Sequence, residues 1–243
     1  MKKVLLIVIF SLCTLSAFSK TVKLATTEWA PFVGKKLKNK GFTTDILKHA
    51  FKAAGYDIKV KIIPWKRVLS QVKKGKYDAG YPAYDSAERR KIYNYSETFA
   101  SGPIVMFKRK DRDITWKTLA DLRKYTVGVV RGYVNEKKFD ADKSIVKHTV
   151  NKDHQLLKML LKGKIDFACM DKAVGINLLN TDKKLIPVKD KITYVDNPLV
   201  DHKLFLIFSK KSKSNQKLQD FNKGLEIIRS NGTFDKIMKD HGL

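Results

Sequence analysis

The sequence predicts an α/β protein in which two strand–helix units follow one another. Two observations carry this. From Lys20 to Ala83, stretches that alternate apolar and polar residues take turns with stretches whose apolar residues recur at helical spacing. The same grammar restarts after about Lys110, with no low-complexity linker and no short repeat between the two units. Such alternation is what a mainly parallel sheet flanked by helices requires.

Val22 to Ala25 begins as an alternating strand. Thr43-Thr44-Asp45 supplies a helix start, Ile46, Leu47, Ala50, Phe51 and Ala54 form its apolar stripe, and Gly55 ends it. Ile58, Val60 and Ile62 alternate as a half-buried strand. Val68, Leu69 and Val72 mark a second helix, stopped at Gly75, and Tyr77 to Ala83 reads as a third strand. In the second unit, Thr118 to Leu122 is a short helix and Thr126 to Val130 a buried strand closed by Arg131-Gly132. Val146 to Val150 is a strand. Asp153 is expected to cap a helix carrying Leu156, Leu157, Leu160 and Leu161, Ile165 to Met170 is the next strand, and Asp171 opens a further helix. Two apolar runs, Pro103 to Phe107 and Leu204 to Phe208, flank this unit. Phe221, Leu225 and Ile228 lie on one side of a C-terminal helix, and Phe234, Ile237 and Met238 on another. Periodicity alone leaves open whether that tail returns to the first unit or stands apart.

The first nineteen residues have the three parts of a secretory signal: Met1-Lys2-Lys3, the apolar run Val4 to Phe10, and small residues at Ala17 and Ser19 before a cut ahead of Lys20. Phe10-Ser11-Leu12 before Cys13 suits lipid attachment poorly, so the mature protein is expected to be soluble and exported. Cys169 is then the only cysteine, which excludes an internal disulfide and leaves a buried core thiol. The five histidines are scattered and make no metal motif, and no metal or other cofactor is expected. The formal net charge is +26. Its lysines run along the whole chain and fall mostly on polar helix phases, a solvated basic surface. Nucleic-acid binding is disfavoured by the export signal and by the lack of a recognisable motif.

The stretch from Asp78 through Gly80-Tyr81-Pro82-Ala83-Tyr84-Asp85-Ser86-Ala87-Glu88-Arg89 to Tyr95-Ser96 resembles the D…T-P-E-R…F-S signature of the periplasmic amino-acid-binding proteins, family 3 of the solute-binding proteins of ABC importers. Glu28 to Phe32, Leu122 through Gly132-Tyr133, Lys162 through Asp171 and Asn231 to Ile237 match further pieces in the same order, so the resemblance covers nearly the whole mature chain. It implies the two-lobed type II periplasmic-binding fold. Lobe 1 is then 20–106 with 207–243, lobe 2 is 107–206, and the two apolar runs cross between them as a hinge.

The resemblance also implies roles. Arg89 falls where the family grips a ligand carboxylate, a task that suits a planar, permanently charged fork. Read from its neighbours Arg90 and Lys91 alone, it would be a surface arginine. Asp171, at a strand end, matches the family's partner for the ligand ammonium and equally suits a helix N-cap. Gly132 allows close backbone approach, and Tyr133 replaces the family's Thr or Ser. Trp29 falls where the family lays an aromatic over the ligand. Trp65 and Arg67 start a helix at a comparable edge. Tyr81 and Tyr84, with Pro82 between, stand where the family has small residues, so the pocket admits an amino acid, an aromatic acid or a small peptide-like solute.

A periplasmic binding protein that acts as a monomer, closes on a small polar solute and delivers it to an inner-membrane ABC permease is the function implied. Two rivals belong to other classes: an enzyme on the same fold, like the dehydratases of cyclohexadienyl acids, and a cationic envelope protein that binds anionic polymer. No defensible pair of catalytic acids or nucleophile and base supports the first.

Overall fold

The computed structural model describes residues 20–210 and 215–242; the expected leader, 1–19, lies outside them. The first unit runs β1 (Lys20–Thr26), α1 (Phe42–Ala53), β2 (Tyr56–Ile62), α2 (Trp65–Lys73), β3 (Ala79–Tyr84), a one-turn α3 (Ala87–Arg90) and β4 (Tyr93–Tyr95). β5 (Ala100–Arg109) leads into β6 (Thr126–Val130), α4 (Lys137–Ala141), β7 (Val146–Val150), α5 (Asp153–Leu161), β8 (Phe167–Asp171) and α6 (Lys172–Thr181). β9 (Ile192–Ser209) returns to the first unit, which is completed by α7 (Asn215–Ser230) and α8 (Thr233–Asp240).

The strands form one sheet in the order β2-β1-β3-β9-β5-β8-β6-β7, with β4 also on β9. β1 is parallel to β2 and β3, and β6 is parallel to β7 and β8. Each parallel trio is thus finished by one antiparallel strand: β9 beside β3, and β5 beside β8. These two long strands pair with each other and carry the chain between the lobes. Their register slips between Ile104↔Val200 and Met106↔Val195, so Asp196 to Leu199 bulge out of β9. Pro198, with no N–H to give the ladder, suits that position.

The tail belongs with the first lobe. Phe221, Leu225 and Ile228 of α7 are buried, and the Phe221 and Phe51 rings lie 5.1 Å apart. Gly224 lets α7 approach α1 at its backbone: a Cβ added there would stand 1.9 Å from the Ala50 carbonyl oxygen. Leu119–Lys124 is a 3-10 turn rather than a regular helix, begun by reciprocal Thr118 and Asp121 bonds. Among the described residues no helix is long and apolar enough to cross a membrane.

Candidate functional site

The carboxyl ends of the parallel strands meet along one edge, where open α/β sheets bind ligands. β1 runs into Thr27 and Trp29, β2 into Trp65, β3 ends at Tyr84, β6 runs into Gly132 and Tyr133, and β8 ends at Asp171. Between them lies a narrow cavity, with Thr27, Trp29, Trp65, Pro82, Tyr84 and Arg89 from the first lobe and Tyr133 and Val134 from the second on its walls.

Arg89 is the cation of this cleft. Ser86 caps the short helix α3 by accepting the Arg89 backbone N–H at 3.2 Å, which fixes where the side chain leaves the backbone. The guanidinium is buried. Its Nη1 donates to the Tyr84 carbonyl at 2.9 Å, and its Nη2 donates across the lobes to the Gly132 carbonyl at 3.0 Å. It lies 5.5 Å from the Trp65 ring centroid, a cation–π contact. Among the described residues no carboxylate forms an ion pair with it, and burial lowers its pKa. Its neighbours differ: Arg90 is paired in the open with Asp85, and Lys91 is exposed.

Asp171 stands on the other lobe and is 2% exposed. Oδ1 accepts the Val174 N–H at 3.1 Å as the N-cap of α6, and Oδ2 accepts the Tyr84 hydroxyl at 3.1 Å. Burial pushes its carboxyl up to about 6, against the pull of these donors. One residue, Tyr84, therefore touches both charged groups. It accepts from Arg89 through its carbonyl and donates to Asp171 through its phenol. Its ring stacks on His202 of β9 at 4.4 Å and meets Trp29 edge-on at 5.7 Å. His202 in turn bonds the Asn135 carbonyl through Nε2, and burial lowers its pKa.

Tyr133 has a similar arrangement. Its hydroxyl donates to Asp153 Oδ2 at 2.9 Å. Asp153 was expected to cap α5; instead it is the first helical residue and faces inward, where burial lifts its carboxyl to about 6. Gln155 takes over the N-terminal bonding, its Oε1 accepting the Lys152 and Asn151 N–H groups. Burial, then the adjacent acids, raise the Tyr84 and Tyr133 hydroxyl pKa values well above the usual phenol range. Two buried polar atoms here have no partner among the described residues, Trp29 Nε1 and Asp153 Oδ1.

Of the residues singled out from the sequence, Trp29, Trp65, Tyr84, Arg89 and Tyr133 line the cavity, and Gly132 and Asp171 bond to its walls. Tyr81 and Arg67 do not join them. Strand alternation puts Tyr81 on the opposite face of β3 from Pro82 and Tyr84, fully buried in the lobe core with its hydroxyl 2.9 Å from that of Thr44. Arg67 lies two residues past Trp65 on α2 and is exposed. His202, Asp153 and Asn135 were not foreseen; each reaches the site through long-range packing that leaves no local pattern. Cys169 is the expected buried thiol, its pKa raised by burial, and its Sγ–H points to Asn135 Oδ1 at 3.4 Å.

The family model of the bacterial extracellular solute-binding proteins, family 3, matches residues 22–243. The chain is a family 3 solute-binding protein. Similar proteins include the ABC transporter arginine-binding protein 1 of Escherichia coli, 26% identical with 98% of this chain and 97% of that one covered. The probable amino-acid-binding protein YxeM of Bacillus subtilis is 25% identical, with 89% and 81% covered. Among solved structures, an ancestral arginine-binding protein bound to arginine superposes with a TM-score of 0.76 at 23% identity, over 90% of this chain and 97% of that one. The solute-binding protein described here thus has the type II fold, and its relatives bear the names of binding proteins rather than of enzymes.

Proposed function

We propose that this protein captures a small carboxylate-bearing solute, an amino acid or a related acid, by closing lobe 2 (107–206) on lobe 1 (20–106 with 207–243) about β5 and β9. The observation that carries this is Arg89, a buried guanidinium at the cavity wall whose acceptors are neutral carbonyls from both lobes. Burying a cation without an anion is costly, and a ligand carboxylate supplies the missing charge in the bidentate form that arginine suits. Trp29, Trp65, Tyr84 and Tyr133 wall the solute's body, and the Gly132 backbone and Asp171 hold the lobe 2 side of the clasp. Because the bonds from Arg89 to Gly132 and from Tyr84 to Asp171 cross between lobes, they strengthen closure as well as binding.

Export through a leader at 1–19, residence in the periplasm, action as a monomer and delivery to an inner-membrane ABC permease complete the reading. Family membership and the transporter named for the Escherichia coli relative support it. A thermal-shift screen against amino acids and small organic acids tests it. A true ligand raises Tm with concentration, and Arg89→Ala abolishes that shift while the unliganded protein still melts cooperatively. A ligand response that survives Arg89→Ala removes Arg89 from the site.

A further inference from the structure

The cavity offers a carboxylate a charged donor and offers an ammonium no carboxylate among the described residues. Arg89 is the charged donor on the wall, and the remaining walls are mostly apolar. Among the described residues no acid lines the cavity. Two buried acids behind its walls are each bonded by a tyrosine that lines the cavity, Asp171 by Tyr84 and Asp153 by Tyr133. Asp171 is closed off from its other sides as well. Its second oxygen caps α6, and β5 crowds it so closely that a Cβ added at Gly102 would stand 2.2 Å from Oδ2. Tyr84 is not free to swing aside, being held between the His202 stack and the edge of Trp29.

Resting on the solute-binding reading above, we infer that the Tyr84 hydroxyl occupies the place of a ligand ammonium, so that the preferred solute is an apolar or aromatic monocarboxylate lacking an α-amino group. An amino acid entering this site would strip water from its ammonium and find Asp171 already bonded. An uncompensated buried charge of that kind weakens binding steeply. The carboxylate of the deaminated solute keeps Arg89, and its body lies among Trp29, Trp65, Tyr133 and Val134.

Isothermal titration of the purified protein with matched pairs tests this: phenylalanine against 3-phenylpropanoate, leucine against 4-methylpentanoate, and phenethylamine as the cation alone. The deaminated acid of at least one pair should bind at least tenfold tighter than its amino acid, with no heat from phenethylamine. Tyr84→Phe keeps the ring and uncovers Asp171, so it should narrow that preference by at least threefold. An amino acid that binds as tightly as its deaminated partner overturns the inference, as does an unchanged preference in Tyr84→Phe. If neither pair binds but another amino acid such as arginine does, the inference fails and the solute-binding reading stands. If no solute in the wider screen binds, both fail.

Discussion

Asp153 shows how much a single side chain can carry without a sequence signal. It precedes an apolar helical stripe, the usual place of a cap, yet its carboxylate bonds Tyr133 inside the cleft wall while Gln155 serves the helix start. Burial raises its pKa from 3.8 to about 6 in the folded protein. Between those values the native state holds a proton that the unfolded chain has released, so stability falls as pH rises through 6. Asp153→Asn removes that loss. The variant should gain stability relative to wild type between pH 4 and pH 7.5, by on the order of 2–3 kcal/mol, in urea unfolding at the two pH values. A difference that does not change with pH would mean Asp153 is not buried as described. Arg89 was legible for a different reason. Its basic neighbours made it look like surface, and only the surrounding motif marked it. The structure separates it from Arg90 because Ser86 begins a turn that sends one arginine inward and leaves its neighbour on exposed Asp85.

At the scale of elements, periodicity placed most strands and helices to within a few residues, because apolar spacing is set by which face is buried. What it missed follows from pairing. β9 is far longer than its apolar run Leu204–Phe208: its first half, from Ile192, pairs with β5 on the far side of the bulge at Asp196 to Leu199. The Tyr81 side chain was misplaced because the motif names positions and not faces. The docking of α7 on α1 is a contact that only Gly224 permits. Gly224→Ala would drive a methyl group into the Ala50 carbonyl and push the helices apart. It should lower stability by about 1–3 kcal/mol, the usual cost of overpacking, with solute affinity in the folded protein retained. A melt identical to wild type would contradict the close helix approach.

Across the whole molecule, the strand order β2-β1-β3-β9-β5-β8-β6-β7 was beyond local patterns, because β3 and β9 meet across more than a hundred residues. The same long-range pairing makes the hinge and lets two lobes bear on one cavity. The central claim is that these lobes close on a carboxylate held by Arg89. Spin labels at Lys66→Cys, beside Trp65, and Lys137→Cys, just past Tyr133, sit on exposed positions of opposite lobes, and the native Cys169 is buried. Double electron–electron resonance between them, with and without the solute that raises Tm, measures closure itself. The distance should shorten and its distribution narrow on binding, and neither should happen in Arg89→Ala. A distance that is the same with and without bound solute, or that shortens equally in Arg89→Ala, would contradict the account.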